Sequence, residues 1–174
     1  MVLPIMLMNS SHRTESVYVV FVCSGNICRS PMAEIIVRDA VEANALADDV
    51  LLASCGIGGW HVGEPADERA QAELENAGYD PNHTAAQLGD EHMDATLFIA
   101  MDESHINGLL RAGVPKEKIR LMRSFDPASP KGAVVADPYY GGPEGFVRTR
   151  NEIEAATPGI IAWLRETLAL ASER

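Results

Sequence analysis

A cysteine, five residues and an arginine, Cys23-Ser24-Gly25-Asn26-Ile27-Cys28-Arg29, followed by Ser30-Pro31, carry the chemistry most legible in this chain. The segment follows an apolar run, Val17-Tyr-Val-Val-Phe-Val22, and precedes a helical pattern. A strand, a tight loop and a helix in that order aim backbone N–H groups and the positive end of the helix at one point, where an anion is stabilised. A thiol set at that point is biased toward thiolate by the same field. Cys23 is therefore the candidate nucleophile, and an oxyanion such as phosphate is the candidate target.

Five residues suffice to wrap backbone around one tetrahedral anion, with Gly25 and Asn26 as the residues that best tolerate positive φ. Successive amides of Ser24, Gly25, Asn26, Ile27 and Cys28 would then form an anion nest. Arg29 would lay its planar fork on two anion oxygens, a geometry that lysine cannot match. Ser30 and Pro31 read as N-cap and first helical residue, and the Ser30 hydroxyl is within reach of a Cys23 thiolate. A cysteine and an arginine at this spacing are weak evidence alone, and the competing reading is an ordinary strand-turn-helix junction with a small buried thiol. The apolar strand before the loop, Gly-Asn within it and Ser-Pro after it favour the anion site.

Together with Asp137-Pro-Tyr-Tyr140 far downstream, the loop resembles that of the low-molecular-weight protein tyrosine phosphatases. Matching stretches are Ser54-Cys-Gly56, Gly59-Trp-His-Val-Gly63, His83 with Ala85 and Gln87, and Met101-Asp-Glu-Ser104. The likeness runs from about Val17 to about Leu168, and Trp-His-Val-Gly and Arg123-Ser-Phe-Asp-Pro127 are shared with the actinobacterial type. It implies hydrolysis of phosphotyrosine in proteins, and of aryl phosphates, through a cysteinyl phosphate, with no cofactor and no metal.

The resemblance also assigns roles. An Asp-Pro pair read alone is a turn initiator; by resemblance Asp137 protonates the leaving oxygen and then, as carboxylate, activates water. General acid assistance of that kind is commonly worth about 10² to 10⁴ in rate. Trp60, Tyr139 and Tyr140 match wall-forming positions, and Ile27 is placed to touch the ring of a phosphotyrosine, which is longer than phosphoserine by one aromatic group. His61 reads as a loop or rim residue. Asn26, with Ser54 and His83, is implied to brace the loop rather than to react. Position 86 is Ala where many relatives carry Arg, so bracing there must come from elsewhere. Cys28 is either a reversible disulfide partner for Cys23, as the resemblance implies, or a buried structural thiol; the sequence leaves both open.

The elements that must position these residues alternate. Strand-like runs fall at Val17 to Cys23, Val50 to Ser54, Ala95 to Met101 and Lys118 to Met122, and helical patterns at Pro31 to Asn44, Asp67 to Ala77 and Ser104 to Ala112. Apolar strands alternating with helices indicate an α/β fold: a buried parallel sheet between helices on both faces, with the active site beyond the carboxyl ends of the strands. The resemblance makes this a single-domain three-layer sandwich with four strands in the order 2-1-3-4. Glu144 to Ser172 reads as a long helical region kinked or broken at Thr157-Pro158-Gly159, with Ile153, Ile160, Ile161, Trp163, Leu164 and Leu168 supplying a core face.

The 174 residues allow one domain, which would bury about 70% of the unfolded chain's surface. Residues 17–172 form the expected domain, and residues 1–16, outside the likeness, an expected loose tail. The eight apolar residues at the start are too few to span a membrane and lack a basic leader. Three cysteines without an export signal fit free thiols in a reducing cytoplasm, though secretion by an unconventional route stays open. A net charge of −11 with no basic stripe argues against nucleic acid, and phosphoproteins are the expected partners of a monomer.

Two other functions compete. A thioredoxin-coupled arsenate reductase would share loop and fold but needs two further cysteines in its middle segment; none occurs from Gly56 to Arg174, and Cys55 is poorly placed for such a relay. A non-catalytic phosphotyrosine-binding module would have no use for an acid such as Asp137.

Overall fold

The first strand is apolar at every position but Tyr18, and that fixes its place in the molecule. In the computed structural model, which describes residues 16–173, β1 (Val17–Cys23) lies inside the sheet with neighbours on both edges. The expected tail falls, apart from Ser16, outside the described residues. Side chains alternate across a strand, so β1 feeds two cores. Val17, Val19 and Phe21 enter one cluster, and Val20 and Val22 enter another on the opposite face. Phe21 is fully buried, worth about 2 to 3 kcal/mol in transfer free energy.

The remaining elements are α1 (Arg29–Ala43), β2 (Val50–Gly56), α2 (Glu68–Asn76), β3 (Leu97–Ala100), α3 (Glu103–Arg111), β4 (Ile119–Leu121) and α4 (Pro143–Ser172). The four strands are parallel in the order β2-β1-β3-β4. Val17 pairs with Val50 and Cys23 with Gly56 on one edge of β1, and Val19 with Leu97 on the other. The first cluster is closed by α1, α2 and α4 and the second by α3, so helices cover both faces. The strand order reverses at β1, and Cys23 stands at its carboxyl end, where ligand crevices form in such sheets.

Three local expectations are corrected. Helix α1 begins at Arg29 with Cys28 in the N-cap position and no side-chain cap, so Ser30 and Pro31 lie inside its first turn. Proline is tolerated there because the first-turn amides have no intrahelical acceptor. Helix α4 runs unbroken through Pro158. A proline inside a helix costs about 3 kcal/mol, but Ile153 and Ala156 before it and Ile160 and Leu164 after it are all fully buried in one cluster, so packing on both sides holds the helix together. Trp163, expected in the core, is only partly buried and stands edge-on to Phe125 at 6.5 Å.

Gly159 is where α4 touches the 3₁₀ turn Met122–Phe125. A Cβ at that position would lie 2.0 Å from the Phe125 carbonyl oxygen. Alanine normally improves a helix interior by about 0.5 to 1 kcal/mol, yet here the clash is with backbone. Gly159→Ala should therefore destabilise the protein by about 1 to 3 kcal/mol in urea unfolding.

Candidate active site

Five carbonyls of the loop are held from outside. The amides of Ile57 and Gly58 donate to the carbonyls of Cys23 and Ser24, each at 2.9 Å. The Asp67 amide takes the Ile27 carbonyl at 2.8 Å, and the Met32 amide that of Cys28 at 3.2 Å. His83 donates Nε2–H to the Asn26 carbonyl at 2.9 Å. Among the described residues, the amides of Ser24 through Cys28 donate to nothing. Carbonyls tied outward and amides left inward make an anion nest from backbone alone.

Asn26 takes the positive φ, at 59°, and Gly25 does not. The glycine serves another purpose: a Cβ there would come within 2.9 Å of the His61 ring, so its absence lets the Trp60-His61 loop lie on the phosphate-sized loop. Asn26 is fully buried and bonded at both ends of its amide. Nδ2 donates to Ser30 Oγ at 2.8 Å and Ser54 Oγ at 2.9 Å, while Oδ1 accepts the Ala86 amide at 2.9 Å. The bracing that an arginine at 86 would give thus comes from the backbone of the same residue, held where Gly56 and Gln87 form a bridge.

Ser30, freed from capping, turns its hydroxyl to Cys23 Sγ at 2.9 Å. Asn26 Nδ2 already donates to Ser30 Oγ, so the hydroxyl hydrogen goes to the sulfur, the nearer acceptor, with the Cys55 carbonyl farther off at 3.4 Å. Both Asn26 and Ser30 stand behind the loop, not in the cavity. Cys28 is buried, and burial, with Asp67 and Cys23 nearby, pushes its thiol far up, so it stays protonated. Cys55, also free and fully buried, packs in the cluster on the α3 face with its thiol raised by burial.

The Arg29 side chain is 3% exposed. Nη1 spends both hydrogens, on Asp102 Oδ2 at 2.7 Å and on the Val135 carbonyl at 3.0 Å. Nη2 approaches Ser24 Oγ at 3.4 Å and Asp137 Oδ2 at 3.7 Å. The Nε hydrogen and one on Nη2 have no acceptor among the described residues, and those two form a bidentate fork. Asp102, the N-cap of α3, is held at about 2; its burial opposes the shift, and hydrogen bonds from Ser104 and Arg29 overcome it.

Cys23, Ser24, Ile27 and Arg29 face a cavity of about 360 Å³ whose other walls include Trp60, His61, Asp137, Tyr139 and Tyr140. The aromatic walls are open to solvent, Trp60 at 74% and Tyr140 at 88%, and Tyr139 packs edge-on to Tyr140 at 5.1 Å. His61 is tied to Glu64 at 2.7 Å. The Asp137 loop hangs on Arg69 of α2, a residue to which the sequence gave no role. Arg69 donates to the carbonyls of Tyr139 and Gly141 at 3.0 and 3.2 Å, stacks on the Tyr139 and Phe146 rings, and is itself gripped by Asp67. Among the described residues no cluster of three or more His, Cys, Asp or Glu is placed to hold a metal.

Residues 18–170 match the family model for low molecular weight phosphotyrosine protein phosphatases. The chain belongs to that family. It is 45% identical over 157 residues to low molecular weight protein-tyrosine phosphatase A of Mycobacterium tuberculosis, covering 90% of this chain and 96% of that one. The crystal structure of a protein tyrosine phosphatase from Entamoeba histolytica superposes with a TM-score of 0.82 at 31% identity, covering 87% of this chain and 99% of that one. A Drosophila arginine phosphatase also superposes, with a TM-score of 0.76 at 30% identity over 83% of this chain and 95% of that one. The fold is thus common to neighbours named as phosphatases of different side chains, and the cavity walls must decide which side chain is served.

His105, which the sequence did not single out, is 1% exposed beside this family loop. Burial, and then the Arg29 charge, lower its pKa from 6.5 to about 4. The folded state therefore binds fewer protons than the unfolded chain between those values. Its contribution is complete above about pH 6.5 and is lost as pH falls toward 4, on the order of 3 kcal/mol. His83, lowered by burial as well, adds in the same direction. His105→Gln should flatten the fall in unfolding free energy between pH 6.5 and 4, measured by urea titration at each pH.

Proposed function

We propose that the chain is a protein tyrosine phosphatase acting by two displacements at one phosphorus. Cys23 Sγ attacks, the S–P bond forms and the P–O bond to the tyrosine ring breaks. Asp137, protonated in this step, gives its proton to the leaving oxygen. As carboxylate it then takes a proton from water; the water oxygen bonds to phosphorus, the S–P bond breaks, and inorganic phosphate leaves with the thiolate restored. Arg29 and the amides of Ser24, Gly25, Asn26, Ile27 and Cys28 hold the equatorial oxygens through both steps, and Ser30 steadies the sulfur. Asn26, Ser54 and His83 support the loop. The observation that carries this reading is the shared cavity: a thiol at the rim of unpaired amides, a guanidinium fork, and a carboxylate 3.7 Å from that fork.

Ile27, Trp60, Tyr139 and Tyr140 offer an apolar side chain and rings that pack on the flat ring of phosphotyrosine, which favours it over the flexible arm of phosphoarginine. Arsenate reduction lacks its relay, since Cys55 is sealed in the core. Asp137 in the cavity weighs against a module that only binds. The same reading takes residues 17–172 as one catalytic domain, residues 1–16 as a loose extension, and the enzyme as a cytoplasmic monomer. It acts on phosphoproteins, without metal, cofactor, nucleic acid or membrane. No described helix is long and apolar enough to cross a bilayer.

Steady-state hydrolysis of p-nitrophenyl phosphate and of matched phosphotyrosine and phosphoarginine peptides tests it. Cys23→Ser should abolish turnover, and Asp137→Ala should lower kcat by about 10² to 10³ while inhibition by inorganic phosphate changes little. EDTA should have no effect, and phosphotyrosine should be preferred. Turnover by Cys23→Ser, strict metal dependence or preference for phosphoarginine would overturn the reading.

A further inference from the structure

Ser24 and His105 are joined across the edge of the site, and the hydrogen count at that junction has only one solution. The Asp102 amide donates to His105 Nδ1 at 3.1 Å, so this nitrogen is an acceptor and the ring hydrogen sits on Nε2. Nε2 lies 3.0 Å from Ser24 Oγ and donates to it. Arg29 Nη2 approaches the same oxygen at 3.4 Å. With both lone pairs of Oγ engaged, the hydroxyl can act only as a donor. Among the described residues nothing accepts its hydrogen, and Ser24 lines the cavity beside Cys23 and Arg29.

We propose that His105 is a positioning residue that fixes the Ser24 hydroxyl as a hydrogen-bond donor to a phosphoryl oxygen of the substrate. The inference rests on the phosphatase reading of this cavity. It adds a side-chain donor to those of the backbone loop and Arg29. It also gives the buried His105 a purpose: a neutral ring held by an amide on one nitrogen delivers direction to a hydroxyl without adding charge next to Arg29. A group that must accept hydrogen bonds fits such a site, and a donor in the same place meets three converging N–H and O–H groups.

The test is hydrolysis of p-nitrophenyl phosphate, with inorganic phosphate as competitive inhibitor, in the wild type, Ser24→Ala, Ser24→Thr, His105→Phe, His105→Gln and the double variant Ser24→Ala/His105→Phe. Loss of one hydrogen bond to an anion predicts that Ser24→Ala weakens phosphate inhibition and lowers kcat/KM, each by about tenfold. His105→Phe should fall in the same two quantities. Ser24→Thr keeps a hydroxyl and His105→Gln keeps a donor, so both should recover to within about threefold. The double variant should match Ser24→Ala, because the histidine acts only through that hydroxyl. Wild-type behaviour of Ser24→Ala, or losses that multiply in the double variant, would overturn the proposal and leave the phosphatase reading intact. A wild-type protein with no aryl phosphatase activity would overturn both. If His105→Phe does not fold, the nitrogen chemical shifts of the wild-type His105 ring decide, since a hydrogen on Nδ1 in place of Nε2 would overturn the proposal.

Discussion

The outward pull on five loop carbonyls is the constraint from which the rest of the site follows. Four parts of the chain draw them: the turn after β2, which takes two, the start of α2, the first turn of α1, and His83. A peptide unit whose oxygen is held on one side presents its hydrogen on the other. The amides of Ser24, Gly25 and Cys28 are therefore aimed by backbone donors alone, and that of Ile27 through the His83 side chain. Asn26 makes the curl possible by adopting φ 59°, and its buried amide is bonded at both ends, which offsets the conformational cost.

An acidic chain of net charge −11 must gather positive potential locally to hold a phosphate. Arg29 does so although nearly sealed from water. A buried guanidinium without a partner would be costly; Asp102, ionised down to about pH 2, is that partner and sets its rotation. That rotation spends Nη1 on the protein and turns Nε and Nη2 to the cavity. Asp137 is farther from the guanidinium and more exposed than Asp102, so the two carboxylates beside one arginine differ in environment.

The parallel sheet and the tight loop after β1 were legible because residue type carries them: an apolar strand, then a cysteine and arginine at fixed spacing; Asp137 was singled out by the family resemblance, since an Asp-Pro alone reads as a turn. What escaped reading was carried by backbone or by packing. The Ala86 amide that braces Asn26 has no signature, since any residue but proline supplies it. Ser30 looked like a cap because serine usually is one, yet the sulfur and Asn26 compete for its hydroxyl and win. Pro158 looked like a break because the buried residues on either side of it cannot be weighed from sequence alone. His105 and Arg69 act through tertiary partners 81 and 70 residues away. An Asp102-x-x-His105 spacing at a helix start was the one available hint for the histidine.

Arg69 carries a consequence for how such an enzyme can change. It suspends the carbonyls of Tyr139 and Gly141, and the Asp67 that grips it also donates its amide to the Ile27 carbonyl in the floor of the cavity. Floor and overhang are thus bolted to one ion pair at the start of α2. Evolution can retune the aromatic rim at its tips, but it cannot shift the Asp137 loop without also disturbing the cradle below.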